Sequence, residues 1–334
     1  MHDINIQRTN NGSSSGIVTE GLGKRYGDLW ALRELDLSVP AGSILGLLGH
    51  NGAGKTTAVR ILATLAQPTT GRASVAGIDV LDDPRGVRAR IGLAAQSATV
   101  DGLLTARANL ELVARLHHLP KGEARRRAGE LLERLELADD ADRLVKTFSG
   151  GMRRRLDLAA TLVANPPVLF LDEPTTGLDP HSRNELWELL RELVRDGTTV
   201  LLTTQYLEEA DRLADDIVVL DHGRVAASGS PATLKARIGG ERIDVAVAGP
   251  EDLRPAAEAL AEFADGPAAS DPAGPVVTVP VRPGTPLLEV VRALDARGVA
   301  ATDIHRREPM LDDVFLSLTT TRPAAPAREE VGVR

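Results

Sequence analysis

The stretch Gly49-His50-Asn51-Gly52-Ala53-Gly54-Lys55-Thr56-Thr57 fits the pattern G-x-x-x-x-G-K-[ST], with Gly49, Gly54, Lys55 and Thr56 at its fixed positions. The apolar run 43–48 before it reads as a buried strand, and 55–65 after it reads as a helix. Strand, loop and helix in that order are the context in which the pattern has a mechanism. Glycines let the backbone turn tightly with its N–H groups pointing inward, and the helix N-terminus adds partial positive charge, so the loop cradles phosphate oxygens. Lys55 is expected to reach the β- and γ-phosphates and the Thr56 hydroxyl to ligate Mg2+, with Asn51, Gly52 and Thr57 as further nucleotide contacts. A phosphate loop alone does not separate kinases, GTPases and ATPases. The chain has no Asn-Lys-x-Asp base-reading motif, which argues against a GTPase.

With 334 residues the chain has room for one large domain and a smaller one. Apolar residues make up 43% of it but aromatic ones only 2%, so the cores must be built from Leu, Val, Ile and Ala. A net charge of -8 argues against nucleic acid as the main partner, since counterion release needs clustered Lys and Arg. The absence of cysteine rules out disulfides, thiol catalysis and cysteine metal sites, and suits a reducing cytosol. No run of 18 consecutive apolar residues occurs, and 1–16 is polar and Ser/Asn-rich, expected to be a disordered tail rather than a signal peptide.

From 17 to 39 the pattern suggests two or three strands, with 24–28 as a turn. Tyr26, one of two tyrosines, could stack on a base beside a nucleotide site or simply close that turn. A strand at 91–95 ends on Gln96, and a polar amide at a strand end in an α/β sheet lies where ligands bind; an ordinary surface glutamine is the plainer alternative. From 103 to 138 the spacing turns helical and charged, as expected of an all-helical insertion. Its triplet Arg125-Arg126-Arg127 reads as a solvated helix face, with phosphate binding as the minority alternative.

Phe148-Ser149-Gly150-Gly151-Met152 then opens another helix, with Ser149 placed as its N-cap. Bare N–H groups at that helix start would make a second anion site, at Ser149, Gly150 and Gly151. The apolar run Val168-Leu169-Phe170-Leu171 ends in Asp172 and Glu173. An Asp at the tip of a buried strand beside a phosphate loop holds Mg2+, and Glu173 next to it could orient or deprotonate an attacking water. Asp179-Pro180 starts a long helix, and a strand at 198–203 leads to Thr204-Gln205. Beyond 240 the composition shifts to Ala, Pro and Gly, and strands near 243–247, 276–281 and 300–305 alternate with helices in a smaller α+β pattern, with 266–274 as a loop.

Taken together, the phosphate loop, the Phe148 to Met152 segment and the Asp172-Glu173 strand end resemble the nucleotide-binding subunit of ATP-binding cassette (ABC) transporters. Gly177-Leu178-Asp179-Pro180 is similar to that family's D-loop, Gln96 to its Q-loop glutamine and Tyr26 to its adenine-stacking tyrosine. Ser149 to Asp157, Thr203 to Asp211 and Leu311-Asp312-Asp313-Val314-Phe315-Leu316 narrow the resemblance to exporter ATPases of the daunorubicin-resistance type. The fold this implies is α/β: a P-loop NTPase cassette over 17–240 with an antiparallel β subdomain and a helical insertion at about 103–165, then a small α+β domain over 241–320 and a disordered tail over 321–334.

The resemblance further implies ATP and Mg2+ as ligands, with Thr56, Gln96 and Asp172 holding the metal ion. It implies a homodimer in which Ser149, Gly150, Gly151 and Asp179 complete the partner's ATP site, and a separately encoded integral membrane permease that keeps the subunit at the cytoplasmic face of the membrane. Nucleic acid is not an expected partner, and a non-transport cassette ATPase acting on ribosomes or DNA is the rival reading. A single cassette, no zinc cysteines and an acidic balance weigh against that rival. Three positions depart from the family pattern: Phe148 for Leu, Met152 for Gln, and Gln205 for the switch histidine. An amide can donate to a γ-phosphate but carries no proton or charge near neutral pH, so Glu173 is expected to bear the chemistry while Gln205 senses phosphate.

Overall fold

The computed structural model describes residues 15–95, 100–237, 240–270, 274–282 and 284–320, which fall into two compact units split at Ser230/Pro231. The first unit opens with β1 (Ser15–Tyr26) and β2 (Leu29–Pro40), joined at a Gly27-Asp28 turn, then β3 (Ile44–Leu48) and α1 (Lys55–Leu62). β4 (Thr70–Val75), β5 (Ile78–Asp79), α2 (Pro84–Arg88) and β6 (Ile91–Ala94) follow, then α3 (Ala106–Leu116), α4 (Lys121–Arg134) and α5 (Gly150–Leu162). β7 (Val168–Asp172), α6 (Pro180–Arg195), β8 (Thr199–Thr204), α7 (Leu207–Leu213), β9 (Asp216–Asp221) and β10 (Arg224–Gly229) complete it.

The runs that alternate least form the central sheet. β3, β7 and β8 are buried at every position, as strands covered on both faces must be, and they pair in parallel in the order β10-β9-β3-β8-β7-β6, with β10 antiparallel at one edge. β1, β2, β4 and β5 form a second, antiparallel sheet in the order β2-β1-β4-β5. A single core joins Ile17, Leu22, Leu35 and Leu37 of that sheet, Val59, Ile61 and Leu62 of α1, and Leu47 and Phe170 of the central sheet. Aliphatic residues do nearly all the filling, as the aromatic-poor composition requires.

α3, α4 and α5 form the helical insertion, with Leu110, Ala114, Ala124, Ala128, Leu131 and Leu132 buried. Arg127 departs from a solvated face. Its guanidinium donates to the carbonyls of Leu162 (2.9 Å) and Val163 (3.3 Å), satisfying the last carbonyls of α5, while Arg125 and Arg126 stay exposed.

The second unit comprises α8 (Pro231–Arg237), β11 (Glu241–Val247), α9 (Leu253–Leu260), β12 (Ala269–Ser270), β13 (Val276–Val281), α10 (Leu287–Ala296), β14 (Ala301–Arg307) and α11 (Leu311–Thr320). Its sheet, β12-β13-β11-β14, is antiparallel and has its own core of Ile243, Val245, Val277, Val279, Leu260 and Leu294. α8 packs on α11, which places 231–237 with this unit rather than with the cassette. β12 lies inside the segment read as a loop, since two residues pairing at a sheet edge are too short to leave a periodic pattern.

Candidate functional site

The site grows from the ends of three adjacent parallel strands. β3 runs into the phosphate loop, β7 ends at Asp172 and β8 at Thr204, and the register places Asp172 beside Thr203. The loop needs its glycine at Gly54: φ is 110°, and a Cβ there would meet the Ala31 carbonyl oxygen at 2.5 Å. Gly54 also serves as N-cap of α1 with no capping side chain, so the first N–H groups of α1 have no side-chain acceptor from that position.

Lys55, 4% exposed, donates from Nζ to the carbonyls of Gly49 (2.7 Å) and His50 (3.2 Å) and stands 3.7 Å from Glu173 Oε1. Burial pulls its ammonium below the ordinary lysine value, while the Glu173 and Asp172 carboxylates act in the opposite direction. Asp172 Oδ1 accepts from Thr203 Oγ1 (2.5 Å) and Thr56 Oγ1 (3.3 Å). A carboxylate and a hydroxyl this close offer the hard oxygen donors that suit Mg2+. Glu173 has φ 50°, and its N–H donates to Thr203 Oγ1 and to the Thr203 carbonyl, both at 3.1 Å. Lys55, Thr56, Asp172 and Glu173 therefore form one contiguous group. Thr203, which holds both acids, was not singled out from the sequence, although a polar residue ending an apolar strand is a usable signal.

A second group forms where α5 and α6 begin. Ser149 caps α5 by accepting from the Met152 N–H (3.2 Å), and Asp179 caps α6 by accepting from the N–H groups of His181 (3.1 Å) and Ser182 (3.0 Å). The Ser182 N–H is the main cause of an Asp179 carboxyl held below its ordinary value, with the Ser182 hydroxyl (2.8 Å) adding to it. Gly151 is the contact point: a Cβ there would meet Ser182 Oγ at 2.5 Å. Gly150, Glu173, Thr176 and Gly177 line one cleft, which opens the second group toward the first.

Arg154 braces this region. Its guanidinium donates to the carbonyls of Pro174 (2.8 Å) and Ala95 (3.0 Å) and pairs with the buried Asp157 (3.3 Å), and burial lowers it from the usual arginine value. It thus ties α5 both to the loop after Glu173 and to the residue before Gln96. Gln96 itself lies outside the described residues. Gln205 is exposed just past β8, and Tyr26, 48% exposed, ends β1 with the Lys24 ammonium 5.1 Å from its ring centroid. Behind Gln205, the buried Glu209 accepts from Trp187 Nε1 (3.2 Å), and burial raises its carboxyl above the ordinary value against the hydrogen bonds of Thr204, Trp187 and Thr175.

The family described as ABC transporter matches residues 32–176. A daunorubicin resistance ATP-binding protein of Streptomyces coeruleorubidus is 56% identical over 92% of this chain and 95% of its own length. A doxorubicin resistance ATP-binding protein of Mycobacterium tuberculosis is 44% identical over 91% of this chain and 93% of its own, and a Nod factor export ATP-binding protein of Ralstonia nicotianae is 39% identical over 92% and 95%. Among solved structures, an ATP-binding subunit of an ABC transporter superposes with a TM-score of 0.61 at 29% identity, over 67% of this chain and 93% of its own. A dimeric ATP-binding cassette in a post-hydrolysis state, bound to ADP and Pi, superposes with a TM-score of 0.59 at 29% identity, over 64% and 98%.

Proposed function

Because this chain belongs to the ABC transporter ATP-binding family, within the daunorubicin-resistance type, it is an ATPase, and we propose that it powers export of a hydrophobic small molecule, an antibiotic or drug, through a separately encoded integral membrane permease. The observation that carries the hydrolytic part is the contiguous group of Lys55, Thr56, Asp172 and Glu173 at the strand ends. In our reading Lys55 leaves the Gly49 and His50 carbonyls to hold the β- and γ-phosphate oxygens, and Gly49, Asn51, Gly52, Gly54 and Thr57 surround them. Thr56 and Asp172, with Gln96, hold Mg2+, which when bound offsets phosphate charge. Glu173, released from Lys55, takes the proton of the attacking water. Gln205 contacts the γ-phosphate as a neutral amide, and Tyr26 stacks on the adenine.

Two copies are needed in this reading. Ser149, Gly150 and Gly151 of one cassette, with Asp179 beside them, complete the ATP site of the other, so that ATP joins the pair and hydrolysis separates it. No helix among the described residues is long and apolar enough to cross a membrane. In this reading the chain is peripheral at the cytoplasmic face, held there by its permease, and the unit beyond Pro231 is an accessory. Leu103, Leu112 and Leu116 of the helical insertion are 74%, 48% and 69% exposed, apolar side chains of the kind such a partner covers.

The test is to isolate the Glu173→Gln protein from native membranes in mild detergent with Mg-ATP. Hydrolysis is expected to fall about 10²- to 10⁴-fold with ATP binding retained, and a polytopic membrane protein is expected in near-equal amount. Recovery with ribosomes or DNA, or with no partner, would overturn the export reading.

A further inference from the structure

The register that builds the phosphate loop also builds a second constellation on its outer side. β3 pairs in parallel with β9, with Leu48 opposite Val219, so the residues two further along, His50 and Asp221, come level. The next residue, His222, begins the turn into β10. This turn is held firmly against the loop: Gly223 donates its N–H to the Ala53 carbonyl (3.0 Å) and accepts from the Arg33 N–H (2.7 Å). A Cβ on Gly49 would meet the Leu220 carbonyl oxygen at 2.5 Å, which shows how closely the two backbones run.

His50, Asp221 and His222 thus bring two imidazoles and a carboxylate together. His50 Nε2 lies 3.3 Å from Asp221 Oδ1, His222 Nε2 lies 3.7 Å from the same oxygen, and one ligand atom from each residue falls within 4.8 Å of the others. The two rings sit edge to face with centroids 5.2 Å apart. Ligands at about 2.0–2.2 Å around a tetrahedral zinc ion stand about 3.4 Å from one another. The two distances to Asp221 Oδ1 lie within about 0.3 Å of that value, and the third separation, at most 4.8 Å, needs to close by no more than about 1.4 Å.

The tautomer of His50 supplies the second argument. Its Nδ1 is 2.6 Å from the Asn51 carbonyl oxygen, and a carbonyl can only accept, so Nδ1 carries the proton and donates it. That leaves Nε2 as the ring nitrogen turned toward the Asp221 carboxylate, 3.3 Å from its Oδ1. A backbone carbonyl fixing the far nitrogen of an imidazole is also the usual support of a metal-bound histidine. The donor set of two imidazoles and one carboxylate selects zinc and neighbouring transition ions rather than Mg2+, whose preference is for oxygen.

We propose that His50, Asp221 and His222 bind a divalent transition-metal ion of the zinc class, which ties the phosphate loop to the turn between β9 and β10. The site is separate from the oxygen donors of Thr56 and Asp172, and it does not depend on the export reading. His50 belongs to the phosphate loop, so any effect that occupancy of one site has on affinity at the other is reciprocal.

The test uses the full chain without nucleotide, in millimolar Mg2+ to saturate hard-oxygen sites. Zinc is titrated calorimetrically, and Co2+ is followed by its visible d–d absorption. The expected result is one zinc per chain at micromolar affinity, with a cobalt spectrum displaced by zinc. Two variants should each weaken binding at least tenfold: His222→Asn, which tolerates the left-handed φ of 47° at that position, and His50→Gln. Retained circular dichroism in either variant separates loss of a ligand from loss of fold. Absence of zinc binding below about 1 mM, weaker than the affinity expected of three protein ligands, would overturn the proposal. So would affinity that both variants leave unchanged, which would place the ion at another surface histidine.

Discussion

At the scale of single residues, the site turns on how few groups hold its two acids. Thr203 Oγ1 donates to Asp172 and accepts from the Glu173 N–H, so one hydroxyl fixes both the Asp172 carboxylate and the Glu173 backbone. Glu173 sits at φ 50°, a conformation a non-glycine residue holds only where its surroundings enforce it. Thr203→Val keeps shape and removes that hydroxyl. It is expected to lower kcat about 10- to 100-fold, equivalent to about 1.4–2.8 kcal/mol, with a smaller effect on KM, checked by steady-state ATPase kinetics. Gln205 gives a pH test: an amide does not titrate between pH 5 and 8, whereas Gln205→His places a group there that does. The variant's kcat profile should gain an inflection near its imidazole pKa that the parent lacks. A parent profile with that same inflection would show that another residue supplies it.

Glu209 belongs to the same scale. Its carboxyl is raised by burial, so over the interval between the ordinary carboxylate value and its raised native value the native protein holds a proton that the unfolded chain has released. With fewer protons bound in the unfolded state, stability falls as pH rises through that interval and is flat above it. Glu209→Gln can still accept from Trp187 and removes the ionisation. Thermal unfolding should show the variant more stable than the parent above the interval, with the difference shrinking as pH falls below the carboxylate range. The opposite trend would mean that the ionised form is the one the site favours.

At the scale of elements, Arg154 does most to hold helix, strand and loop in one frame. It reaches the Pro174 and Ala95 carbonyls from α5 and pairs with Asp157, which is fully buried. Arg154→Met keeps the stem and removes every donor. Breaking such a buried pair costs about 3 kcal/mol or more, so denaturant unfolding should show a loss of that order, together with slower hydrolysis. The sequence conveyed the elements of this frame well. The apolar run 168–171, which ends abruptly in Asp172 and Glu173, marks a buried parallel strand and its polar tip without any knowledge of the partners. It conveyed the bracing poorly, because Arg153-Arg154-Arg155 looks uniform in one dimension. Only the packing of α5 against the loop after Glu173 selects Arg154. The same limit hid Thr203, and it hid the Arg127 hydrogen bonds to the end of α5 inside what reads as a solvated triplet.

At the scale of the whole chain, two units with separate cores have separate reasons to melt. The first is filled by the shared core of sheet and α1, the second by Ile243, Val245, Val279 and their neighbours. In the second unit the Leu311 to Leu316 stretch has a structural use: Leu311 and Val314 are buried, and Asp313 receives the Arg307 guanidinium and the Met310 N–H (2.8 Å). Burial would push the Asp313 carboxyl up, but these donors take it below its ordinary value, while Arg307 is raised by the Asp313 hydrogen bonds. Calorimetry of the Glu173→Gln protein should therefore resolve two transitions. Saturation with Mg-ATP at about 100 times its Kd adds about 2.7 kcal/mol to the unit that binds it, so only the transition of the first unit should move up. Arg307→Met should lower only the other. If ATP instead raises a single transition that Arg307→Met lowers as a whole, the two cores unfold as one, and the second unit would then share in the energy of the nucleotide cycle.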